Sequence, residues 1–376
     1  MIYLDNAATT FPKPDRVYQN SIETYKNMGV NFSRNNSKES LEILTLIQKI
    51  RENILNIAFG EQIGEVVFSD SATTSINIVL QGLDYNNIKT VYISPFEHNA
   101  VYRTILYLKE KFSFNLEIIP FDEFALDIDK TELKFLSKTP DLVVCTHSSN
   151  VFGNILPIDK IFEMAKEYNA ITILDAAQTL GLIPLSKFSD FIIFSGHKKL
   201  YGFTGIGGFI ILNKELNINP LIYGGTGIKS EEEKMPESIP EKFEVGTQNT
   251  LGLLSLLEST NWIIETKLEN INTKKDKNYL KLLKILNKYS NYIDVYVPKN
   301  NIGIVSIVPQ KITVAQLEII LDKNNITGRS GFHCSPLAHK HIGTNKSFGT
   351  YRFSISYFNS DEDFEKIDKI LANIFI

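Results

Sequence analysis

Apolar positions at Leu41, Leu44, Ile47, Ile50, Ile54 and Ala58 recur at three- and four-residue steps. That is the repeat of one helix face over residues 38–58, and Gly60 stands where such a helix has to stop. The period then changes. Val66-Val67-Phe68 is a short unbroken apolar run, and comparable runs recur at 90–94, 116–120, 141–146, 170–174, 190–194 and 206–212. Runs of this length without polar alternation suit strands buried on both faces, and helical stretches separate several of them. From about residue 15 to about residue 212 the order alternates helix and strand, which predicts an α/β fold with a mostly parallel, seven-stranded sheet. Beyond residue 213 a Glu- and Pro-rich stretch at 230–241 leads into a long helical region at about 248–290, then into short strands and helices. That shift divides the chain into a large domain at 15–245 and a smaller α+β domain built from 1–14 and 246–376. No internal repeat or low-complexity segment interrupts the pattern.

With 376 residues, 43% of them hydrophobic and 22% charged, the chain can bury a large core in two domains. A formal net charge of -4 supplies no basic field for nucleic acid, and the lysines near 274–288 read as a solvated helix face. No apolar stretch approaches the length of a membrane span. The start Met1-Ile2-Tyr3-Leu4-Asp5-Asn6 lacks the basic and apolar regions of a secretion signal, so a cytoplasmic setting is expected. Two cysteines, Cys145 and Cys334, cannot build a disulfide framework, which leaves thiol reactivity as their expected importance.

Candidate chemistry gathers at the ends of the predicted strands. The run Ile171-Thr172-Ile173-Leu174 delivers Asp175 to the carboxyl rim of the sheet, where open α/β folds bind their ligands. Phe191-Ile192-Ile193-Phe194 delivers Ser195-Gly196-His197-Lys198 to the same rim. One amine and one carboxylate so placed suit a covalently held pyridoxal phosphate, the lysine holding the aldehyde and the acid keeping the ring nitrogen protonated. Singly, an aspartate ending a strand is often a helix cap, and Gly-His-Lys is often only a turn. The segment Asp70-Ser71-Ala72-Thr73-Thr74 opens a helix directly after a strand, so backbone N–H groups and hydroxyls can converge on a phosphate there, or merely cap the helix. Neither a Walker A sequence nor G-x-G-x-x-G occurs in the chain, which argues against a nucleotide. His98, after Glu97 on the rim, can stack on a flat cofactor or be an ordinary loop histidine. Asn150 can donate to a cofactor oxygen, while Cys145 reads as a small buried hydrophobe.

Arg329-Ser330-Gly331-Phe332-His333-Cys334-Ser335-Pro336 shapes a tight loop around one thiol, a candidate nucleophile. Zinc held by His333, Cys334, His339 and His341 is a weak alternative, because a lone thiolate with irregular spacing lacks the paired-cysteine signature. Arg352 sits in the strand-like run Thr350-Tyr351-Arg352-Phe353-Ser354, where a charge serves either a structural ion pair or a bidentate grip on a substrate carboxylate.

Together these residues resemble the class V aminotransferase superfamily, and within it the cysteine desulfurase and selenocysteine lyase branch, over nearly the whole chain. The matching segments occur in order. They are Tyr3-Leu4-Asp5-Asn6-Ala7-Ala8-Thr9-Thr10, Glu97-His98, Asn150 with Val151 and Gly153, Asp175 to Gln178, Ser195 to Lys198, Phe243-Glu244-Val245-Gly246-Thr247, Arg329 to Cys334, and Arg352. The resemblance implies fold type I, a homodimer, and pyridoxal 5'-phosphate held as a Schiff base on Lys198. It implies Asp175 as partner of the pyridine nitrogen, Gln178 as partner of the ring hydroxyl, His98 as the stacking residue and Asn150 as a further cofactor and substrate contact. Thr73, Thr74, Ser195 and His197 match phosphate ligands, and Thr247 a phosphate contact from the partner subunit. Arg352 matches the arginine that takes the substrate carboxylate, and Cys334 the cysteine that takes up sulfur.

Three departures accompany the match. Counting back from Leu200-Tyr201-Gly202 selects Lys199 as the Schiff-base residue, whereas counting from Gly196-His197 selects Lys198, which is the assignment adopted. Phe203 stands where related sequences commonly carry proline, and Asn31 to Asn36 replaces a Gly-rich stretch. The short interval from Cys334 to Arg352 resembles the branch with a compact cysteine loop. The implied activity converts L-cysteine to L-alanine. Lys198 is its general base, His98 a proton shuttle, and Cys334 gains a persulfide for a protein sulfur acceptor. Alternatives are a selenocysteine lyase, another class V aminotransferase or lyase, or a scaffold that lost the chemistry.

Overall fold

In the computed structural model, which describes residues 1–30, 37–227 and 232–375, seven strands form one sheet. Their spatial order is Glu65–Ser69, Gly207–Ile211, Phe191–Ser195, Ile171–Asp175, Leu142–Thr146, Thr90–Ile93 and Asn115–Ile118. The strand Gly207–Ile211 runs antiparallel to both neighbours, and the other strands share one direction. The mostly parallel sheet expected from the apolar runs is therefore present. The segment Asn31 to Asn36 lies outside the described residues.

Helices cover both faces, which explains runs without polar alternation. Phe68, Val143, Leu174, Phe194 and Ile210 point into one core. Val67, Val144, Ile173, Ile193 and Phe209 point into the other. The helix Lys38–Phe59 starts at Ser37, whose hydroxyl accepts from the Ser40 N–H. It ends at Gly60, left-handed at φ 72° with its N–H on Asn56 O. Its buried stripe is Ile43, Ile47, Ile50 and Ile54, whereas Leu41 and Leu44 are exposed. Three-residue steps from Leu41 describe a neighbouring stripe that meets the buried one at Ile47, so part of the periodic set faces outward.

The helical region expected at 248–290 is broken at Lys267, whose φ of 68° no helix continues, into Thr250–Thr266 and Leu268–Asn287. Leu253 and Leu256 of the first join the core of the large sheet. Leu282 and Leu286 of the second join Val305, Phe353 and Leu371 in a separate core. That core lies on a four-stranded antiparallel sheet in the order Ile293–Tyr296, Ile304–Pro309, Thr350–Ser354, Arg329–Gly331. The amino terminus belongs here too, since Ile2–Tyr3 pairs parallel with Ile326–Thr327 and Leu4 is fully buried.

The order of the large sheet locates the ligand rim. After Thr90–Ile93 the chain steps outward to Asn115–Ile118, then returns to Leu142–Thr146 and proceeds the other way. The reversal opens a crevice at the carboxyl ends of Thr90–Ile93 and Leu142–Thr146. No helix among the described residues is long and apolar enough to cross a membrane.

Two adjacent glycines set how closely the rim is built. A Cβ on Gly207 would lie 2.8 Å from the Ser71 carbonyl carbon and 2.9 Å from Ala72 N, so the start of the helix Ala72–Gly82 rests directly on this strand. A Cβ on Gly208 would lie 2.2 Å from Val67 O. Gly208→Ala is expected to lower stability by about 1–3 kcal/mol through overpacking. Gly60→Ala, with nothing within 4 Å of its added methyl, is expected to cost only about 1 kcal/mol for the left-handed backbone. Urea denaturation midpoints of the two variants check the difference.

Candidate active site

Lys198, Asp175, Gln178, His98, Asn150 and Thr73 line one cleft at the carboxyl rim, with Thr146 at its floor. They arrive from several strand ends and helix starts, with Asp175 and Gln178 sharing one, so the fold assembles the set. Asp175 closes the strand Ile171–Asp175, is 6% exposed, and accepts from the Ala177 N–H at 2.9 Å. No cation is within ion-pair distance among the described residues, and burial pushes its carboxyl above the usual range, with the Lys198 charge acting the other way. Lys198 follows the strand Phe191–Ser195, and burial holds its amine well below the usual lysine range. An amine that sheds its proton this easily is a competent nucleophile and base. Gln178 donates Nε2 to Ala7 O at 2.8 Å, which leaves Oε1 buried and without a partner. His98 caps the helix Asn99–Phe112, its Nδ1 accepting from the Ala100 N–H at 3.0 Å. That bond fixes the tautomer with hydrogen on Nε2, and burial pulls the imidazole down to about 4, so the ring is neutral.

The helix Ala72–Gly82 starts beside this cleft. Ser71 takes the Thr74 N–H at 3.1 Å and shares its hydroxyl with Thr74 Oγ1. The first-turn N–H groups of Ala72 and Thr73 have no acceptor within the helix itself. Thr73 therefore faces the Lys198 cleft, whereas Thr74 lines a neighbouring cleft together with Thr247, Gly205 and Glu244 of the same chain. Ser195 is buried opposite Gly207, bordering the same helix start. His197 turns away from the Lys198 cleft, its Nδ1 3.0 Å from Thr9 Oγ1. Lys199 is buried away from the cleft near Lys275, its amine pulled down to about 7 chiefly by desolvation. Phe203, at the position expected for proline, donates its N–H to Ser255 Oγ at 2.9 Å, a bond proline cannot make.

The cysteine loop meets the cleft at Asn150. Asn150 Nδ2 donates to His333 O at 2.7 Å and Oδ1 accepts from Ser335 Oγ at 2.6 Å, so one side chain grips both neighbours of Cys334. The Asn99 N–H donates to Cys334 O at 2.7 Å. These bonds hold two successive non-glycine residues in the left-handed region, His333 at φ 47° and Cys334 at φ 58°, and the Cys334 side chain is exposed. Such backbone persists only where its surroundings over-determine it. Asn150 lines the cleft and its amide also holds the loop, a role no spacing in the sequence signals.

Arg352, 1% exposed, donates Nη1 to Asn150 O at 2.7 Å and pairs Nη2 with Asp5 Oδ1 at 2.5 Å. Its Nε has no partner. The partner Asp5, 347 residues away in sequence, was not singled out as a site residue. Arg329 lies directly across the strand pair from Arg352 and makes no ion pair among the described residues. Among the described residues no group of three or more His, Cys, Asp and Glu could hold a metal ion, and His333 and His339 spend ring nitrogens on Thr350 and Thr344. Cys145 is wholly buried in its strand.

Glu97, beneath His98, is fully buried. Its Oε1 accepts from Ser94 Oγ and, at 2.7 Å, from the Thr146 N–H, while Oε2 is unpartnered. Desolvation, aided by the Asp175 charge, pushes its carboxyl up to about 8.

The profile of the family Aminotransferase class-V matches residues 2–367. A probable cysteine desulfurase of Pyrococcus abyssi is 31% identical, the match covering 100% of this chain and 94% of that protein. One of Methanothermobacter thermautotrophicus is 29% identical over 99% of this chain and 94% of its own length. Among solved structures, the apo form of a cysteine desulfurase from Thermococcus onnurineus superimposes with a TM-score of 0.90 at 28% identity, covering 100% of this chain and 94% of that one.

Removing the Asn150 side chain should free the cysteine loop: Asn150→Ala is expected to speed alkylation of Cys334 by an uncharged reagent by up to about thirtyfold, the two lost bonds being worth about 1 kcal/mol each. A mass-spectrometric time course checks it. The native state keeps the Glu97 proton up to about pH 8, whereas the ordinary value is 4.5, so folding stability should fall as pH rises through that window. Glu97→Gln should flatten the fall, as read from denaturation midpoints at intervals across it.

Proposed function

Because the chain belongs to the class-V aminotransferase family, we propose that it is a pyridoxal-phosphate-dependent cysteine desulfurase, converting L-cysteine to L-alanine and leaving the sulfur as a persulfide on Cys334. The observation that carries the reading is the convergence, on one cleft, of a buried lysine amine shifted toward its neutral form, a buried carboxyl without a cation and a buried amide oxygen without a partner among the described residues. That set fits pyridoxal phosphate: Lys198 for the aldehyde, Asp175 for the ring nitrogen, Gln178 for the ring hydroxyl and His98 for the ring face. Thr73 and the start of its helix suit the phosphate, with Thr74 and Ser195 bordering that helix start; His197, expected as a further phosphate ligand, is held toward Thr9. When bound, the cofactor supplies an electron sink for bonds broken at the substrate Cα.

The protein's own residues do the rest. Arg352 receives the substrate carboxylate, offering the Nε that has no partner among the described residues while Asp5 holds Nη2. The buried Lys198 amine, neutral when released, takes the Cα proton. His98, neutral with hydrogen on Nε2, is set to pass protons at the mouth of the cleft. Cys334, on a loop pinned by Asn150 and Asn99, presents its sulfur as the nucleophile. A bond forms between Cys334 Sγ and the substrate sulfur while the carbon–sulfur bond breaks. The products are alanine and a Cys334 persulfide, with no external oxidant or reductant.

In this reading the protein is a cytoplasmic homodimer in which Thr247 serves the partner's phosphate site, and the persulfide passes to a protein acceptor.

Cys334→Ala is expected to retain the yellow cofactor yet lose sulfur release from L-cysteine. Lys198→Ala is expected to lose the yellow chromophore and to lower alanine formation by at least about 10²-fold, whereas Lys199→Ala should stay yellow. Absorbance of the reconstituted proteins, with alanine, sulfide and selenocysteine turnover measured together, tests the assignment.

A further inference from the structure

Lys198 and Arg352 stand on different sheets with different cores, yet both must meet one small amino acid. Lys198 follows a strand of the large sheet, and Arg352 lies within a strand of the small one. A single segment near the amino terminus touches both. Asp5 pairs with Arg352 Nη2, and Asn6 and Ala7 anchor on the neighbouring Ser354, through Asn6 Nδ2 to Ser354 O at 2.9 Å and the Ala7 N–H to Ser354 Oγ at 2.8 Å. Ala7 O receives Gln178. Thr10 Oγ1 then donates to Lys198 O at 2.7 Å, and the Thr10 N–H to His197 O at 3.2 Å. Thr9 Oγ1 adds a bond to His197 O at 3.2 Å. The buried Lys13 amine donates to Thr10 O at 3.0 Å and lies 3.4 Å from His197 O.

We propose that residues 5–13 form a positioning strap that fixes the separation and aim of Arg352 and Lys198, with Asp5 orienting the guanidinium and Thr10 orienting the lysine backbone. The inference rests on the pyridoxal phosphate reading of Lys198. The carbonyls of 197 and 198 flank the Cα from which the lysine side chain departs, so donors on both hold the backbone that sets the direction of its Cα–Cβ bond. Asp5 occupies one edge of the guanidinium and leaves Nε for a substrate carboxylate. An α-amino acid presents carboxylate and Cα proton at a fixed spacing. The strap therefore makes that spacing a criterion of selection. Misplacement by an ångström costs large factors in rate, which is the scale on which such an element acts.

The test uses reconstituted holoenzyme. Thr10→Val keeps shape and deletes the donor to Lys198 O; it is expected to shift the pH midpoint of the yellow chromophore by about half a unit or more. It should also slow recolouring of the apoprotein by added pyridoxal phosphate about tenfold, and Thr10→Ser should restore both. Asp5→Asn is expected to weaken binding of L-alanine, followed by the change in absorbance, about tenfold while leaving recolouring unchanged. Thermal melts of each variant separate aim from unfolding, and Lys13→Met supplies a second strap variant if Thr10→Val does not fold. Unchanged chromophore midpoint and recolouring in folded Thr10→Val or Lys13→Met, or unchanged or tighter L-alanine binding in Asp5→Asn, overturns the strap. A wild-type protein that stays colourless with excess pyridoxal phosphate overturns the cofactor reading, and the strap with it.

Discussion

Desolvation of one amine and one acid at the same end of a sheet is the constraint around which the molecule is arranged. Lys198 and Asp175 are both displaced toward their neutral forms by burial, and each partly counteracts the shift of the other. Neither is locked in a close ion pair, which would satisfy the charges and leave nothing for a ligand. Keeping the two groups apart in a dry crevice demands rigid strands behind each, and the sheet supplies them with helices on both faces. The same dryness leaves Gln178 Oε1 and Glu97 Oε2 without partners, polar atoms held in reserve beside the crevice.

Much of the fold is legible in the chain because its signals are local. Seven apolar runs become seven strands of one sheet, and the glycine after the first long helix becomes its left-handed cap. Signals weaken where periodicity is ambiguous. Leu41 and Leu44 continue the helical repeat but face outward, since the stripe that meets the sheet is offset from theirs. The helical region after residue 248 reads as continuous because Lys267 is an ordinary helix former, and only its backbone angle reveals the break.

The site is legible in a different way. Residues of distinctive chemistry at strand ends can be picked out singly, and the cleft gathers Lys198, Asp175, Gln178, His98, Asn150 and Thr73. The partners that orient them are common residues far away in sequence: Asp5 for Arg352, Thr10 for Lys198, Ser335 for Asn150. Hydrogen bonds made across hundreds of residues leave no spacing to read. The choice between Lys198 and its neighbour is likewise a matter of direction, and adjacent residues after a strand point to opposite sides.

On the proposed desulfurase reading, the winding of the backbone at His333 and Cys334 bears on how sulfur would leave. A thiol mounted on a cross-tied coil, pinned at Cys334 O and flanked by a short helix from Pro336 to Ile342, is a fixed post and not a swinging arm. Such a post cannot carry its cargo across a gap. On that reading the recipient would have to come to the exposed Cys334 sulfur, so the travelling part of the exchange would belong to it.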